Sequence, residues 1–399
     1  MQRILQVPPK GKTMARELSP QQAGEIADST YALRLSDNMI DAAAGAASTR
    51  DEFAIVDGQR LTGATGIGPV SRTTGFGYIA FGKSGHRQGE CLVAIRGTEK
   101  SSGHDWLTNT RMAGVQGPGG YTVHAGFWNL AAGLLPQIQA SLRGRHPSRI
   151  HVIGHSLGGA TATLIADALQ RSSAAGVTLY TFGAPRAGVE THASELTSNL
   201  GRDNIFRAYH HTDPVPMVPV FPYAHVPFEE DACLLHGCGT LISVESHMMP
   251  TYLRTVGAQT WQQLRSTPAP KFDSFEAADR WLAEVARVDG LSVMLSANAL
   301  RMILWALRWI LRKAGELIGY ALLGGATIID YLAKILYRGV LKSISIARAV
   351  ENMIATILRF TGRTLAAGQR ITEVFIQYVL ELLFRMVATA ATRAISRLP

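Results

Sequence analysis

The segment RIHVIGHSLGGATATLIADAL, residues 149–169, changes its hydrophobic period at its centre, and this change constrains the fold more tightly than any other part of the chain. Up to Gly154 it reads as a buried strand; beyond Ser156 it reads as a helix. A strand that passes into a helix across one residue needs a very tight turn. Gly154 and Gly158 omit the side chains that would collide two residues either side of Ser156, and Gly159 and Ala160 let the helix lie close to the sheet. The flanking segments repeat the alternation. GFGYIAFG and ECLVAIRGTE read as strands, TVHAGFWNLAAGLLPQIQASLRGRHP as a turn and then a helix, and GVTLYTFGAP and NIFRAYHHTDPVPMVP as further strands. Short apolar runs alternating with helices predict an α/β fold with a mostly parallel sheet covered by helices. Ahead of them, Ser19 caps a helix with Pro20 at its first position and Gln22 three residues after the cap.

This turn raises the Ser156 hydroxyl above the carboxyl end of the sheet, at a helix N-terminus with free N–H groups and a partial positive charge. The Leu157 N–H then faces a developing oxyanion. GHSLG is thus a G-x-S-x-G nucleophile turn. A serine hydroxyl is a poor nucleophile at neutral pH and needs a base, itself held by a carboxylate. In this type of fold the chain order is Ser, then Asp or Glu, then His. Asp213 ends a predicted strand in a loop stiffened by Pro214, Pro216 and Pro219, a fitting place for a fixed carboxylate; Asp231 and Glu245 are its rivals. Of the histidines after Asp213, His225 lies in the same loop system and His236 sits between two cysteines. His247 follows an apolar run and precedes a helical pattern, which places it on a loop above the sheet and favours it over His225 as the base.

Six ordered motifs over roughly residues 20–262 (IRGTE…DWLTN, VHAGF, GHSLGGA, TFGAPRAG, HTDPVPMVP and HMMPTYL) resemble the class 3 lipases, a branch of the α/β-hydrolases. The resemblance implies a serine esterase of acylglycerols or phospholipids that uses no cofactor and no metal. It carries over Ser156 as nucleophile, Asp213 as orienter and His247 as base, and makes Thr98 the second oxyanion donor beside Leu157. It also implies that His225 is structural and that a lid lies between Thr98 and Tyr121. The lid sequence here, MAGVQGPGGY, is Gly-rich and does not read as a long apolar helix, a departure from interfacial activation by lid opening. The opening LSPQQAGEIADSTYALR further resembles bacterial class 3 lipases that lack signal peptides and are delivered into rival cells, including through type VI secretion. That resemblance implies an antibacterial effector, with secretion machinery and an immunity protein as partners.

Residues 1–18 read as a flexible tail, 19–265 as the hydrolase domain, 266–290 as a linker with a short helix, and 291–399 as a basic, apolar helical region. The stretch MQRILQVPPKGKTMAREL has no apolar core of signal length, so any export is expected by another route. Of the 39 basic residues 14 lie after residue 290, against 5 of the 30 acidic ones, so the net charge of +9 resides there. These charges are set in strongly apolar sequence, which points to an anionic membrane surface and not to nucleic acid. The longest charge-free run, LIGYALLGGATII, has 13 residues, short of the roughly 20 that span a bilayer. Arg301, Arg308 and Arg312 form one stripe; Asp330, Lys334, Arg338 and Lys342 a second; Arg359, Arg363 and Arg370 a third. Narrow basic stripes beside broad apolar faces fit helices lying in a membrane interface, and equally a soluble bundle that hides those faces. An alternative reading makes this region primary, as a membrane-binding or membrane-perturbing module. Cys233 and Cys238, in CLLHGC, either form a small loop disulfide or stand as free thiols; with Cys91 they make no disulfide framework.

Overall fold

The strand–helix alternation assembles around an eight-stranded sheet in the computed structural model, which describes residues 17–34, 50–55, 60–65, 72–83, 85–97, 114–229, 232–236, 239–266, 269–287, 296–318 and 327–398. In chain order the strands are β1 (Phe53–Ala54), β2 (Arg60–Thr65), β3 (Arg72–Gly82), β4 (Glu90–Ile95), β5 (Gly114–Gln116), β6 (Thr122–His124), β7 (Arg149–His155), β8 (Gly176–Phe182), β9 (Gly188–Val189), β10 (Ile205–His210), β11 (Tyr223–Ala224) and β12 (Cys233–Leu235). The main sheet runs β1-β3-β4-β7-β8-β10-β12, with β2 also on β3. The pairs β4–β7, β7–β8, β8–β10 and β10–β12 are parallel, whereas β1, β2 and β4 meet β3 antiparallel. This is the mostly parallel α/β-hydrolase type of sheet. β7 lies at its centre and is buried from Ile150 to His155, as its unbroken apolar run requires. Two features are absent from the sequence reading: β12, inside the CLLHGC loop, and a small antiparallel sheet, β11-β9-β6-β5.

The helices are α1 (Pro20–Ser29), α2 (Ala125–Leu142), α3 (Leu157–Ser172), α4 (Glu190–Leu200), α5 (Met249–Val256), α6 (Trp261–Arg265), α7 (Phe275–Val285), α8 (Ala297–Ile318), α9 (Ile328–Lys342), α10 (Ile344–Phe360) and α11 (Glu373–Ile395). α1 opens with a reciprocal capping box: Ser19 Oγ accepts from the Gln22 N–H, and Gln22 Oε1 accepts from the Ser19 N–H. Residues 1–16 of the expected flexible tail lie outside the described residues. Its end is anchored instead: Leu18 is fully buried, its N–H donates to the Tyr180 hydroxyl at 2.9 Å, and its carbonyl accepts from Trp261 Nε1 at 2.7 Å.

The expected linker also belongs to the packed structure. Phe272 and the Phe275, Ala278 and Leu282 face of α7 are buried, and α7 packs on α8 and α10. α8 buries Leu300, Ile303, Leu307, Ile310 and Leu311, spaced at three and four residues. Each such side chain stabilises the fold by about 1.5–3 kcal/mol. One continuous apolar core therefore runs from Leu18 to Leu398 through both the α/β part and the helical part.

The first basic stripe faces the α/β part. Arg308 pairs with Glu190 and, at 3.2 Å, with Glu229; Arg312 pairs with the same two carboxylates at 3.1 and 2.8 Å. These part-exposed pairs add modest stability, but their geometry fixes how α8 sits. Among the described residues one helix, α11, is long and apolar enough to cross a membrane. The run-length reading missed it because Glu381 and Arg385 interrupt the apolar sequence. Here α11 buries Ile376, Val379, Leu380, Leu383 and Val387, and packs on α9, α10 and the turns Val215–Met217 and Glu245–His247.

Candidate active site

Ser156 joins β7 to α3 with φ 56° and ψ −134°, a strained conformation for a residue with a side chain. Its N–H donates to the Phe182 carbonyl at 3.0 Å, which ties the turn to β8. The steric reading of the glycines holds: a Cβ on Gly154 would lie 2.4 Å from the Gly158 carbonyl oxygen, and one on Gly158 would lie 2.6 Å from the Arg96 backbone. Leu157 opens α3, where the first-turn N–H groups have no acceptor within the helix. Thr98 lies outside the described residues, as do residues 98–113 of the expected lid. The remainder of that segment forms β5 and the short turn Pro118–Gly120.

Asp213 follows β10 and His247 closes the turn Glu245–His247; His247 reaches the Ser156 hydroxyl and Asp213 reaches His247. His247 Nε2 lies 2.8 Å from Ser156 Oγ, and His247 Nδ1 lies 2.8 Å from Asp213 Oδ2. An ionised carboxylate only accepts, so Nδ1 carries the proton and Nε2 offers its lone pair to the serine. Asp213 is held further by the Val215 N–H on Oδ1, at 2.9 Å, and by the Tyr252 hydroxyl, which donates to Oδ2 at 2.7 Å. All three residues of the relay are buried.

The rivals lie elsewhere. His225 Nε2 donates to the Pro216 carbonyl at 2.7 Å; burial, then the charges of Arg207 and Arg186, holds its pKa well below the usual imidazole range. Glu245 accepts from the Thr251 hydroxyl, and Asp231 lies outside the described residues.

Four supporting residues were not assigned from sequence. His155 Nε2 donates to the His247 carbonyl at 2.8 Å, so its Nδ1 accepts from the Tyr31 hydroxyl at 2.6 Å. Burial, then His247, holds the His155 pKa well below the usual range, and the ring stays neutral in this role. Gly183 has φ 55°, and a Cβ there would lie 2.8 Å from Asp213 Oδ2 and 3.1 Å from His247 Nδ1. Tyr252 stands one helical turn beyond His247, inside HMMPTYL, and that proximity was the available signal. Tyr31 carried none, being distant in sequence.

Burial, then the Asp213 charge, raises the Tyr252 pKa well above the usual phenol value, so its hydroxyl stays a donor. Tyr252→Phe removes this donor and leaves more negative charge on Asp213 for His247. The carboxylate is then held by one hydrogen bond fewer, so its aim on His247 Nδ1 loosens. kcat should fall about tenfold with KM little changed. An unchanged kcat would reduce Tyr252 to packing.

Among the described residues no three His, Cys, Asp or Glu side chains converge as a metal site. Cys91 and Cys233 are buried free thiols, and Cys238 lies outside the described residues.

The family model described as Lipase (class 3) matches residues 92–223, the span that carries Ser156 and Asp213. Secreted mono- and diacylglycerol lipase 1 of Fusarium solani is 34% identical over 185 residues, covering 44% of this chain and 50% of that protein. Toxin TseL of Vibrio cholerae is 33% identical over 102 residues, 25% of this chain and 15% of that protein. The solved mono- and diacylglycerol lipase of Aspergillus oryzae aligns over 57% of this chain and 83% of its own, at 21% identity and a TM-score of 0.40. The chain spans about half the length of the curated fungal relatives it matches first. The family model thus lies over the strands and turns that present the serine and the aspartate, and over that span the chain is similar to the class 3 lipases.

Proposed function

We propose that the protein is a serine ester hydrolase that cleaves acyl esters of membrane glycerolipids, phospholipids among them, through an acyl-enzyme. The observation that carries this reading is the relay Ser156 Oγ–His247 Nε2 at 2.8 Å and His247 Nδ1–Asp213 Oδ2 at 2.8 Å. His247 takes the Ser156 proton as Oγ attacks the ester carbonyl. Asp213 keeps the tautomer and stabilises the imidazolium. The Leu157 N–H receives the oxyanion, and the resemblance places Thr98 beside it. His247 then protonates the leaving alcohol, and a water activated by the same imidazole releases the fatty acid.

The glycerolipid substrate is supported by the likeness to the fungal mono- and diacylglycerol lipases. The antibacterial effector role rests on the likeness to toxin TseL over a quarter of the chain. A panel of diacylglycerol, phosphatidylethanolamine, phosphatidylglycerol and phosphatidylcholine vesicles, read by mass spectrometry, tests the reaction. Free fatty acid should accumulate with the native chain and not with Ser156→Ala; no release from any class sinks the reading. A second reading, membrane perturbation by the helical part, draws on the length and composition of α11. It predicts that Ser156→Ala still releases dye from the same vesicles.

A further inference from the structure

A cavity of about 170 Å³ opens at the seam between the α/β part and α8. Asp213 reaches its wall, but Ser156 and His247 do not line it. Four guanidinium groups do, Arg186 after β8, Arg207 on β10 and Arg301 and Arg308 on α8, with Lys271 and the Glu229 carboxylate beside them. Arg308 pairs with Glu190 and Glu229, whereas Arg186, Arg207 and Arg301 pair with no carboxylate among the described residues. Arg186 Nη1 donates to the Met217 and Pro219 carbonyls, both at 2.6 Å. Arg207 and Arg301 lie over the Tyr209 ring, 4.1 and 5.2 Å from its centroid, and Arg301 Nη2 donates to the Tyr209 hydroxyl at 3.0 Å.

Hydrogen-bonding capacity is left over. Arg207 is only 7% exposed, and its Nε is buried without a hydrogen-bond partner; Arg301 Nη1 is likewise buried and unpartnered. Burial, then the charges of Arg207, Arg308 and Arg301, pushes the Arg186 pKa down to about 9. Guanidinium keeps its proton in proteins, so an anion is what relieves such a cluster. The lining also holds the apolar side chains of Val220, Phe221, Leu304 and Trp305.

We infer that this cavity binds a phosphate group, carried on an apolar stem as in the headgroup region of an acidic phospholipid. Guanidinium forks from three directions suit the oxygens of a tetrahedral anion, whereas a carboxylate has only two oxygens to share among them. The apolar lining beside the charges accounts for the stem. Because Arg186 and Arg207 belong to the α/β part and Arg301 to α8, the ligand joins the two parts. Arg186 also holds the carbonyls of the loop that follows Asp213, so occupancy bears on the loop that positions the relay. This site does not depend on the hydrolytic reading, since its test is binding.

The full chain carrying Ser156→Ala, which leaves lipid uncleaved, is titrated at constant ionic strength with sodium phosphate, sodium acetate and monomeric dihexanoyl phosphatidylglycerol. Tryptophan fluorescence and melting temperature are read together. Phosphate should bind saturably and raise the melting temperature, with acetate weaker by about tenfold or more. Arg301→Gln should weaken phosphate binding about tenfold, with the fold checked by circular dichroism. Leu304→Trp, which fills the cavity and leaves the guanidinium groups in place, should also abolish binding. If one variant fails to fold, the other decides. Phosphatidylglycerol about tenfold tighter than phosphate assigns the lipid source, and equal affinities assign free phosphate. The inference is overturned by an absence of saturable binding of either probe, or by unchanged affinity in the folded variants.

Discussion

Ser156→Ala is expected to lower kcat/KM for ester hydrolysis by about 10⁴-fold or more, roughly 5.5 kcal/mol of transition-state stabilisation. The loss is in chemistry, because the substitution removes the hydroxyl oxygen placed 2.8 Å from His247 Nε2 at the head of α3. What remains is binding and the oxyanion donors, which act without a nucleophile. Stability should change little. The φ of 56° strains alanine much as it strains serine, and the lost hydroxyl leaves His247 Nε2 without its donor. A melting temperature within a few degrees of the native chain would therefore accompany the inactive enzyme. The same substitution should remove any harm caused by directing the chain to a bacterial periplasm. Retention of even a tenth of the native kcat/KM would take the nucleophile's role away from Ser156.

His247→Ala is expected to be about as damaging, again on the order of 10⁴-fold in kcat, because neither the proton from Ser156 nor the proton for the leaving alcohol then has a carrier. The informative comparison is His225→Ala. His225 donates to the Pro216 carbonyl and touches neither Ser156 nor Asp213, so its loss loosens the loop after Asp213 without removing a reacting group. It should cost about 1–3 kcal/mol in unfolding free energy through the unpaired buried carbonyl and the void, with kcat reduced about tenfold at most. Chemical denaturation measured beside steady-state kinetics separates the two variants. A dead His225→Ala next to an active His247→Ala would exchange the assignments.

Much of the site is legible in sequence because its chemistry is tied to local backbone geometry. GHSLG declares the turn at Ser156, since only glycines at 154 and 158 leave room for the crossing backbone. Asp213 is marked by the end of β10 and the prolines after it. The choice between His225 and His247 is not local: they are 22 residues apart, on loops whose order above the sheet depends on where α5 and the turn before it pack. The outer supports were harder still. Tyr31 reaches His155 across 124 residues of chain, and no spacing rule anticipates that contact.

The C-terminal region shows the same division more sharply. Amphipathic period and basic stripes follow from sequence, and they determine that α8, α9, α10 and α11 are helices with apolar faces. Which surface covers those faces is undetermined by periodicity, because lipid and a protein core satisfy an apolar face equally well. Tertiary structure decided it for α8: Glu190 and Glu229 stand where Arg308 and Arg312 reach them, and the apolar face closes on a core shared with the sheet. Sequence thus determined the main strands and helices and the nucleophile's turn, which depend on neighbouring residues. The base, the supports of Asp213 and the docking of the helices were left to the fold, because they depend on distances between residues that only the packed chain brings together.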